Sequence, residues 1–228
     1  MDSLVLTPIG HIRSDFSEKF GIPRQSGMVA ELRASVVFTP EFTVDTLRGI
    51  GDFSHIWLLW GFSENFSAQW HPTVRPPRLV GERKGVFATR SPLRPNPIGM
   101  SSVRLLEFDD AVPARPVLHV AGADLLDGTP IYDIKPYVAS DCHPDASRGY
   151  TAINADRYLD VEFPEQLAAL VPSDKLPALR GILAQDPRPA FHDDAARVYG
   201  VTFAGLNVRF RVAAGVVQVL AVQPLAQD

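Results

Sequence analysis

The chain has 228 residues, 46% of them hydrophobic and 21% charged, with a formal net charge of −4. That balance fits one globular domain, or a domain with a small appendage, and argues against a generally basic nucleic-acid binder. The opening MDSLVLTPIGHIRS lacks a basic stretch followed by a long apolar core, no apolar run reaches the roughly 18 residues of a membrane helix, and Cys142 is the single cysteine. The expectation is a cytoplasmic protein with no membrane span and no internal disulfide.

In chain order, residues 4–9 (LVLTPI) read as a short strand, followed by the polar loop KFGIPRQSG at 19–27. Ala30, Leu32, Ala34, Val36 and Phe38 alternate with mostly polar neighbours, as on a half-buried strand. A short helix is expected over Thr43 to Arg48, stopped by Gly49. HIWLLWGF (55–62) is a continuous apolar run of central-strand length and leads into a second polar loop, GFSEN (61–65). GVFAT, SSVRLLEF, PVLHVAGADLL and PIYDIKPY supply four further strands. Many short strands broken by Gly and Pro predict a closed or nearly closed β-sheet over residues 1–137. From 138 to 163 the pattern fades, and the segment reads as a linker. Residues 164–228 read as a small α+β domain: helices in PEQLAALV and SDKLPALRGILAQD, the second with Ser173 as N-cap, then a hairpin on which Val208, Phe210 and Val212 alternate with polar residues.

The stretch GVFATRSPLRPNPIG (85–99) carries the third polar loop. Pro92, Pro95 and Pro97 remove backbone donors and fix φ, so the loop is stiff, and it presents Arg90, Ser91, Arg94 and Asn96. From Arg75 to Arg94 the chain carries Arg75, Arg78, Arg83, Lys84, Arg90 and Arg94 against the single acid Glu82. A local basic strip on an acidic body can hold phosphates, or it is a solvated loop. Glycine-rich phosphate loops and zinc spacing are both missing. In DCHPD the candidate ligands Asp141, Cys142, His143 and Asp145 sit too close together to surround one ion, so no metal site is expected. No nucleophile elbow accompanies Ser91 or Ser54-His55, and His55 reads as a core histidine. In DLLDGTPIYDIKPY, Asp124 and Asp127 flank Leu125 and Leu126 at the mouth of a strand. They are either solvated turn acids or a carboxylate pair for a cationic or hydroxyl-bearing ligand. Trp57 and Trp60 read as core, whereas Trp70 is a candidate base-stacking platform.

Taken together, PIGHIRS (8–14), KFGIPRQSG, FSHIWLLWGF (53–62), PTVRPPRL (72–79), the proline loop through SSVRL, DLLDGTPIYDIKPY and LAQDPRPAF (183–191) resemble one family. It is the tRNA adenosine N6-methyltransferases with a TsaA-like domain, which act on threonylcarbamoyladenosine beside the anticodon. The resemblance spans most of the chain and is weakest over 138–180. One departure is Val80, where glycine is expected. The resemblance implies a mainly β fold: an antiparallel β-barrel that binds S-adenosylmethionine, with a small C-terminal domain, in a homodimer. It implies cofactor contacts from Gln25, Ser26 and Gly27, from Phe62, Ser63 and Glu64, from Arg90 and Met100, and from Asp124, Leu125, Leu126 and Asp127. Arg90 would pair with the cofactor's carboxylate, and Asp127 is the first choice of general base, with solvent the alternative. Arg75, Arg78, Arg83, Lys84, Arg94, Asn96 and Arg188 would face the anticodon stem-loop of a tRNA. On this division residues 1–137 hold the cofactor by themselves and the tail places the substrate. The alternatives are a non-enzymatic RNA- or nucleotide-binding barrel, a methyltransferase of the same fold with another substrate, and a structural dimerisation module.

Overall fold

The computed structural model describes residues 4–66, 69–76, 79, 81–109, 116–154, 158–189, 192 and 194–225. Arg78 and Val80 lie outside the described residues.

Six strands close into an antiparallel barrel: β1 (Gly10–Ser14), β2 (Arg33–Phe38), β3 (His55–Gly61), and, beyond the short pair β4 (Thr73–Val74) and β5 (Lys84–Gly85), β6 (Ile98–Asp109), β7 (Val117–Ala121) and β8 (Pro130–Pro136). Their order around the barrel is β1-β2-β7-β6-β3-β8, and β1 meets β8 through Gly10–Ile131 to complete the circle. Inward positions recur every second residue, as a pleated strand requires. Ile12, Ala34, Val36, Phe38, Ile56, Leu58, Val103, Leu118, Val120 and Ile131 fill the interior and are buried. The β3–β8 register shifts between Leu59 and Trp60. A bulge there re-aims the end of β3, where Trp60 stands.

Beyond the barrel, β9 (Asp160–Glu162), the short α1 (Glu165–Ala168) and α2 (Leu176–Ala184) precede β10 (Tyr199–Phe203), β11 (Leu206–Ala213) and β12 (Val216–Pro224). The four strands form one sheet, in which β9 runs parallel to β12 and the rest is antiparallel. Strand β9 lies within 138–163, so the segment expected as a linker contributes to the C-terminal sheet.

The C-terminal core is not built from the C-terminal residues alone. Phe16, Val29 and Leu32, from the connection between β1 and β2, are buried with Leu179, Ile182, Leu183, Val201, Phe203, Val208 and Phe210. The Phe16 and Phe203 rings lie 5.3 Å apart. Lys175 Nζ on the C-terminal side reaches Asp15 Oδ2 at 2.6 Å, and the Ala204 amide donates to the Asp15 carbonyl at 3.0 Å. Gly21, at φ +94°, lies so close to β10 that a Cβ there would stand 2.2 Å from Val201 Cγ2. The barrel therefore lends one long connection to its neighbour's core.

Several local expectations change. Residues 4–9 are not a strand; β1 begins at Gly10, although the Ile9 amide already donates to the Ile131 carbonyl at 2.8 Å. Of GVFAT only Gly85 lies in a strand, β5, and Val86–Ala88 turns as a 3-10 helix ahead of the proline loop. The expected helix at Thr43 is a four-residue 3-10 turn, Val44–Leu47. Helix α2 starts later than Ser173, with Lys175 at its N-cap position and Pro177 in its first turn. His55 is exposed rather than core, since β3 points that position outward.

Candidate active site

The ends of β3 and β6, residues 23–25, Asp124 and the proline loop surround a cleft of about 620 Å³. That is within the range of small-molecule sites, roughly 300–1,000 Å³. Each wall has a local cause. The proline loop is stitched by its own hydroxyls: Thr89 Oγ1 donates to the Val86 carbonyl at 2.8 Å, and the Leu93 amide donates to Ser91 Oγ at 3.2 Å. Such turns hold backbone where prolines prevent ladder bonding. The Phe62 amide donates to the Pro97 carbonyl at 2.9 Å and ties this loop to the end of β3. Arg94 Nη1 reaches the Thr89 carbonyl at 3.3 Å, whereas Arg90 Nη1 donates across the cleft to Gln25 Oε1. The 19–27 loop is fastened to the barrel by the Gly27 amide, which donates to the Gly122 carbonyl at 2.8 Å.

The floor is polar and ordered. Trp60 pairs with Gly99 across β3 and β6, and its indole lies directly on that glycine. Trp60 Nε1 donates to Ser101 Oγ at 3.0 Å, and Ser101 Oγ donates to Asp124 Oδ1 at 2.6 Å. An indole N–H can only donate, so the serine hydrogen is directed onto the carboxylate. Asp124 is half-buried and lines the cleft. Burial pushes that carboxyl above the ordinary aspartate range. The Ser101 hydroxyl, the Asp124 and Ser26 amides and the Arg90 charge pull the other way. Phe87, Ile98 and Met100 add exposed apolar surface to the walls.

Residues 11–142 match the family described as the tRNA-methyltransferase O N-terminal domain, and residues 156–225 match the TrmO C-terminal domain. The chain belongs to the TrmO family. A relative from Escherichia coli K12, named tRNA (adenine(37)-N6)-methyltransferase, is 41% identical over 98% of this chain and 100% of its own length. A Pseudomonas aeruginosa protein described provisionally as an S-adenosylmethionine-dependent methyltransferase, RcsF, is 41% identical over 90% of this chain and 91% of its own. The crystal structure of TrmO from P. aeruginosa superposes with a TM-score of 0.79 at 36% identity, covering 98% of both chains. The fold is thus the mainly β TrmO fold, a six-stranded barrel with a small C-terminal sheet domain.

Within this TrmO chain the cleft gathers Gln25, Phe62, Arg90, Arg94, Asn96, Met100 and Asp124 from the residues singled out in the sequence. Other expected residues stand elsewhere. Leu125 is a barrel-core residue, 1% exposed, and the Leu126 carbonyl accepts from Thr129. Asp127 does not line the cleft: its carboxylate accepts from the Ser14 amide at 3.0 Å and from Arg13 at 3.3 Å, which fixes the turn before β8 to β1. Asp127, the first choice of base in the sequence, thus stands outside this cleft, with one oxygen on the Ser14 backbone amide and the other on the Arg13 side chain. Ser63 and Glu64 sit in a 3-10 turn, Ser63–Asn65, behind Phe62, and Glu64 is exposed. Ser26 acts through its amide on Asp124, and Gly27 through its bond to Gly122.

Of the basic strip, Arg75 is exposed, Arg83 braces the β4–β5 pair through Thr73 at 2.8 Å, and Lys84 pairs with Glu82 at 2.7 Å. Arg188 is held in a bidentate pair with Asp186 at 2.7 and 3.0 Å, with only 11% of its side chain exposed. Asp141 of DCHPD accepts from Trp57 Nε1 at 2.8 Å, and that bond, first among its contacts, lowers its carboxyl below the ordinary range.

The residues missed from the sequence are Trp60, Gly99 and Ser101. The signal for Ser101 was present: it occupies an inward position of β6 between Gly99 and Val103, and a hydroxyl there needs partners. Gly99→Ala tests this floor. Its Cβ would fall 2.3 Å from the Trp60 ring, so the indole must leave Ser101. Overpacking of this kind costs about 1–3 kcal/mol. Thermal melting is expected to fall by about 2–4 °C per kcal/mol, with weaker cofactor binding in calorimetry; an unchanged melt would contradict the contact.

Proposed function

We propose that this protein transfers a methyl group from S-adenosylmethionine to N6 of the adenine at position 37 of a tRNA, with threonylcarbamoyladenosine as the nucleoside modified. The observation that carries the reading is the end-to-end correspondence with the E. coli tRNA (adenine(37)-N6)-methyltransferase. The cleft suits the cofactor by its chemistry. Arg90 offers a cation to the amino-acid carboxylate, and Phe62, Phe87 and Met100 offer apolar surface to the adenosine. When bound, the cofactor supplies an electrophilic methyl group on a sulfonium. What the protein adds is alignment, and in favourable cases positioning alone is worth roughly 7–11 kcal/mol. The stiff proline loop serves that end, since little entropy remains to be lost when RNA docks on it. A barrel that merely bound RNA would leave the half-buried carboxylate and its directed serine without a task.

The anticodon stem-loop meets the cleft from the side of β4, β5 and the proline loop, where Arg75 and Asn96 are exposed and Lys84 would exchange its partner Glu82 for a phosphate. A homodimer in the cytoplasm completes this reading, in line with the family resemblance. Among the described residues no helix is long and apolar enough to cross a membrane. Nucleoside mass spectrometry of tRNA from cells with and without the gene tests the function: the methylated nucleoside is expected to vanish with the gene. Lys84→Ala is expected to weaken tRNA binding and flatten the logarithmic salt slope by about 0.7–0.9. Cofactor affinity should stay at the parent value. A slope equal to the parent's would remove Lys84 from the RNA face.

A further inference from the structure

We propose that Asp124 is the general base that takes the proton from N6 as the methyl group arrives, with Ser101 and Trp60 as its positioning residues. This deepens the methyltransferase reading and rests on it. An N–H set between an adenine ring and a carbonyl shares its lone pair with both, so it attacks well only as the N–H bond gives way. Among the described residues lining the cleft, Asp124 is the one carboxylate. It is held from behind rather than in front: Ser101 Oγ donates to Oδ1 at 2.6 Å, and Trp60 Nε1 fixes that hydroxyl's direction. Ser101 itself is 1% exposed, so water does not compete for the bond.

The step balances. N6 forms the new N–C bond, the C–S bond breaks with its electron pair kept by sulfur, and the N–H proton passes to the Asp124 carboxylate. One positive and one negative charge disappear together, which a partly dry site favours over their separation. The charged groups that share the cleft are Arg24 beside Gln25 and Arg90 and Arg94 on the proline loop; neither Trp60 on β3 nor Met100 and Ser101 on β6 carries charge. Burial raises the proton affinity of the carboxyl despite Arg90, which brings it closer to the working pH of a base. Asp127, by contrast, spends its oxygens on Ser14 and Arg13.

The test uses the full-length protein, S-adenosylmethionine, and tRNA from cells lacking the gene. The parent's kcat should rise along one limb with pH and then level. Asp124→Asn should lower kcat by about 10²-fold or more, while its cofactor Kd in calorimetry stays near the parent value. Folding of that variant is expected to hold. A carboxyl raised by burial contributes its stability below the unfolded pKa and loses it as pH rises through the folded value, so removing the charge does not lower the melt at neutral pH. Ser101→Ala removes a bond that lowers the carboxyl, so its kcat limb should move to higher pH. A carboxyl-carbon NMR titration of the cofactor-free protein should show Asp124 protonating above the ordinary aspartate range, and higher still in Ser101→Ala. An Asp124→Asn protein with parent kcat at saturating cofactor but a raised Kd would overturn the proposal and make Asp124 a ligand of the cofactor's ammonium group. A normal-range titration would overturn it equally. A parent that methylates no tRNA would instead sink the methyltransferase reading, and this proposal with it.

Discussion

A chain ending at Val138 is expected to lose cofactor binding and cooperative melting together. The sequence reading assigned the whole cofactor site to residues 1–137, and every cleft-lining residue does lie there. The support for one wall does not. Phe16, Val29 and Leu32, each no more than 3% exposed, are buried in the C-terminal core, and the 19–27 loop runs between them. Burial of such side chains contributes about 1.5–3 kcal/mol each. Three of them amount to a large share of the roughly 5–15 kcal/mol that holds a domain together. Removal of 139–228 also takes away Lys175 from Asp15 and the Ala204 amide from its carbonyl. Calorimetry and thermal melting of the shortened chain decide the matter, and adding residues 139–228 as a separate chain should restore binding. A shortened chain that melts cooperatively and binds S-adenosylmethionine like the parent would show that the loop holds itself.

Arg90→Ala is expected to weaken cofactor binding selectively. Arg90 is exposed, and its side chain reaches Gln25 rather than the backbone of its own loop. The loop is held instead by Thr89, Ser91 and Arg94. Loss of a hydrogen bond to a charged partner costs about 1.5–3 kcal/mol, roughly a 10- to 150-fold rise in Kd. Melting temperature and the salt slope of tRNA binding should barely move. A lower melting temperature with no selective loss of cofactor affinity would make Arg90 a brace for the loop. Arg94→Ala provides the contrast, because Arg94 bonds the Thr89 carbonyl and its removal should loosen the loop as well.

How much of this was legible in the sequence differs by region, for physical reasons. Strand alternation exposed β2 and β11 because one face of each is buried and the other wet, so residue type tracks position. The proline loop was legible because proline and hydroxyl side chains act locally. The chemistry of the two aspartates was not. Asp124 and Asp127 stand three residues apart in one turn motif, yet Ser101 directs its hydroxyl onto the first and the Ser14 amide occupies the second. Those partners lie on β6 and β1, and only barrel closure brings them in. Arg188 was expected to face the anticodon stem-loop, but its guanidinium is paired with Asp186 two residues earlier. The sharing of a core between the β1–β2 connection and the C-terminal sheet was equally hidden, since Phe16, Val29 and Leu32 carry no mark of which core they enter.

The central claim is methyl transfer to adenine 37 of tRNA in the cleft that holds Asp124. Its most direct test incubates the purified protein with methyl-labelled S-adenosylmethionine and tRNA from cells lacking the gene, then digests the RNA and identifies the labelled nucleoside. The account predicts label on N6 of the threonylcarbamoyladenosine at position 37, strongly reduced with Asp124→Asn. Label on another nucleoside, or none with folded, cofactor-binding protein and tRNA that carries the unmethylated nucleoside, would contradict it.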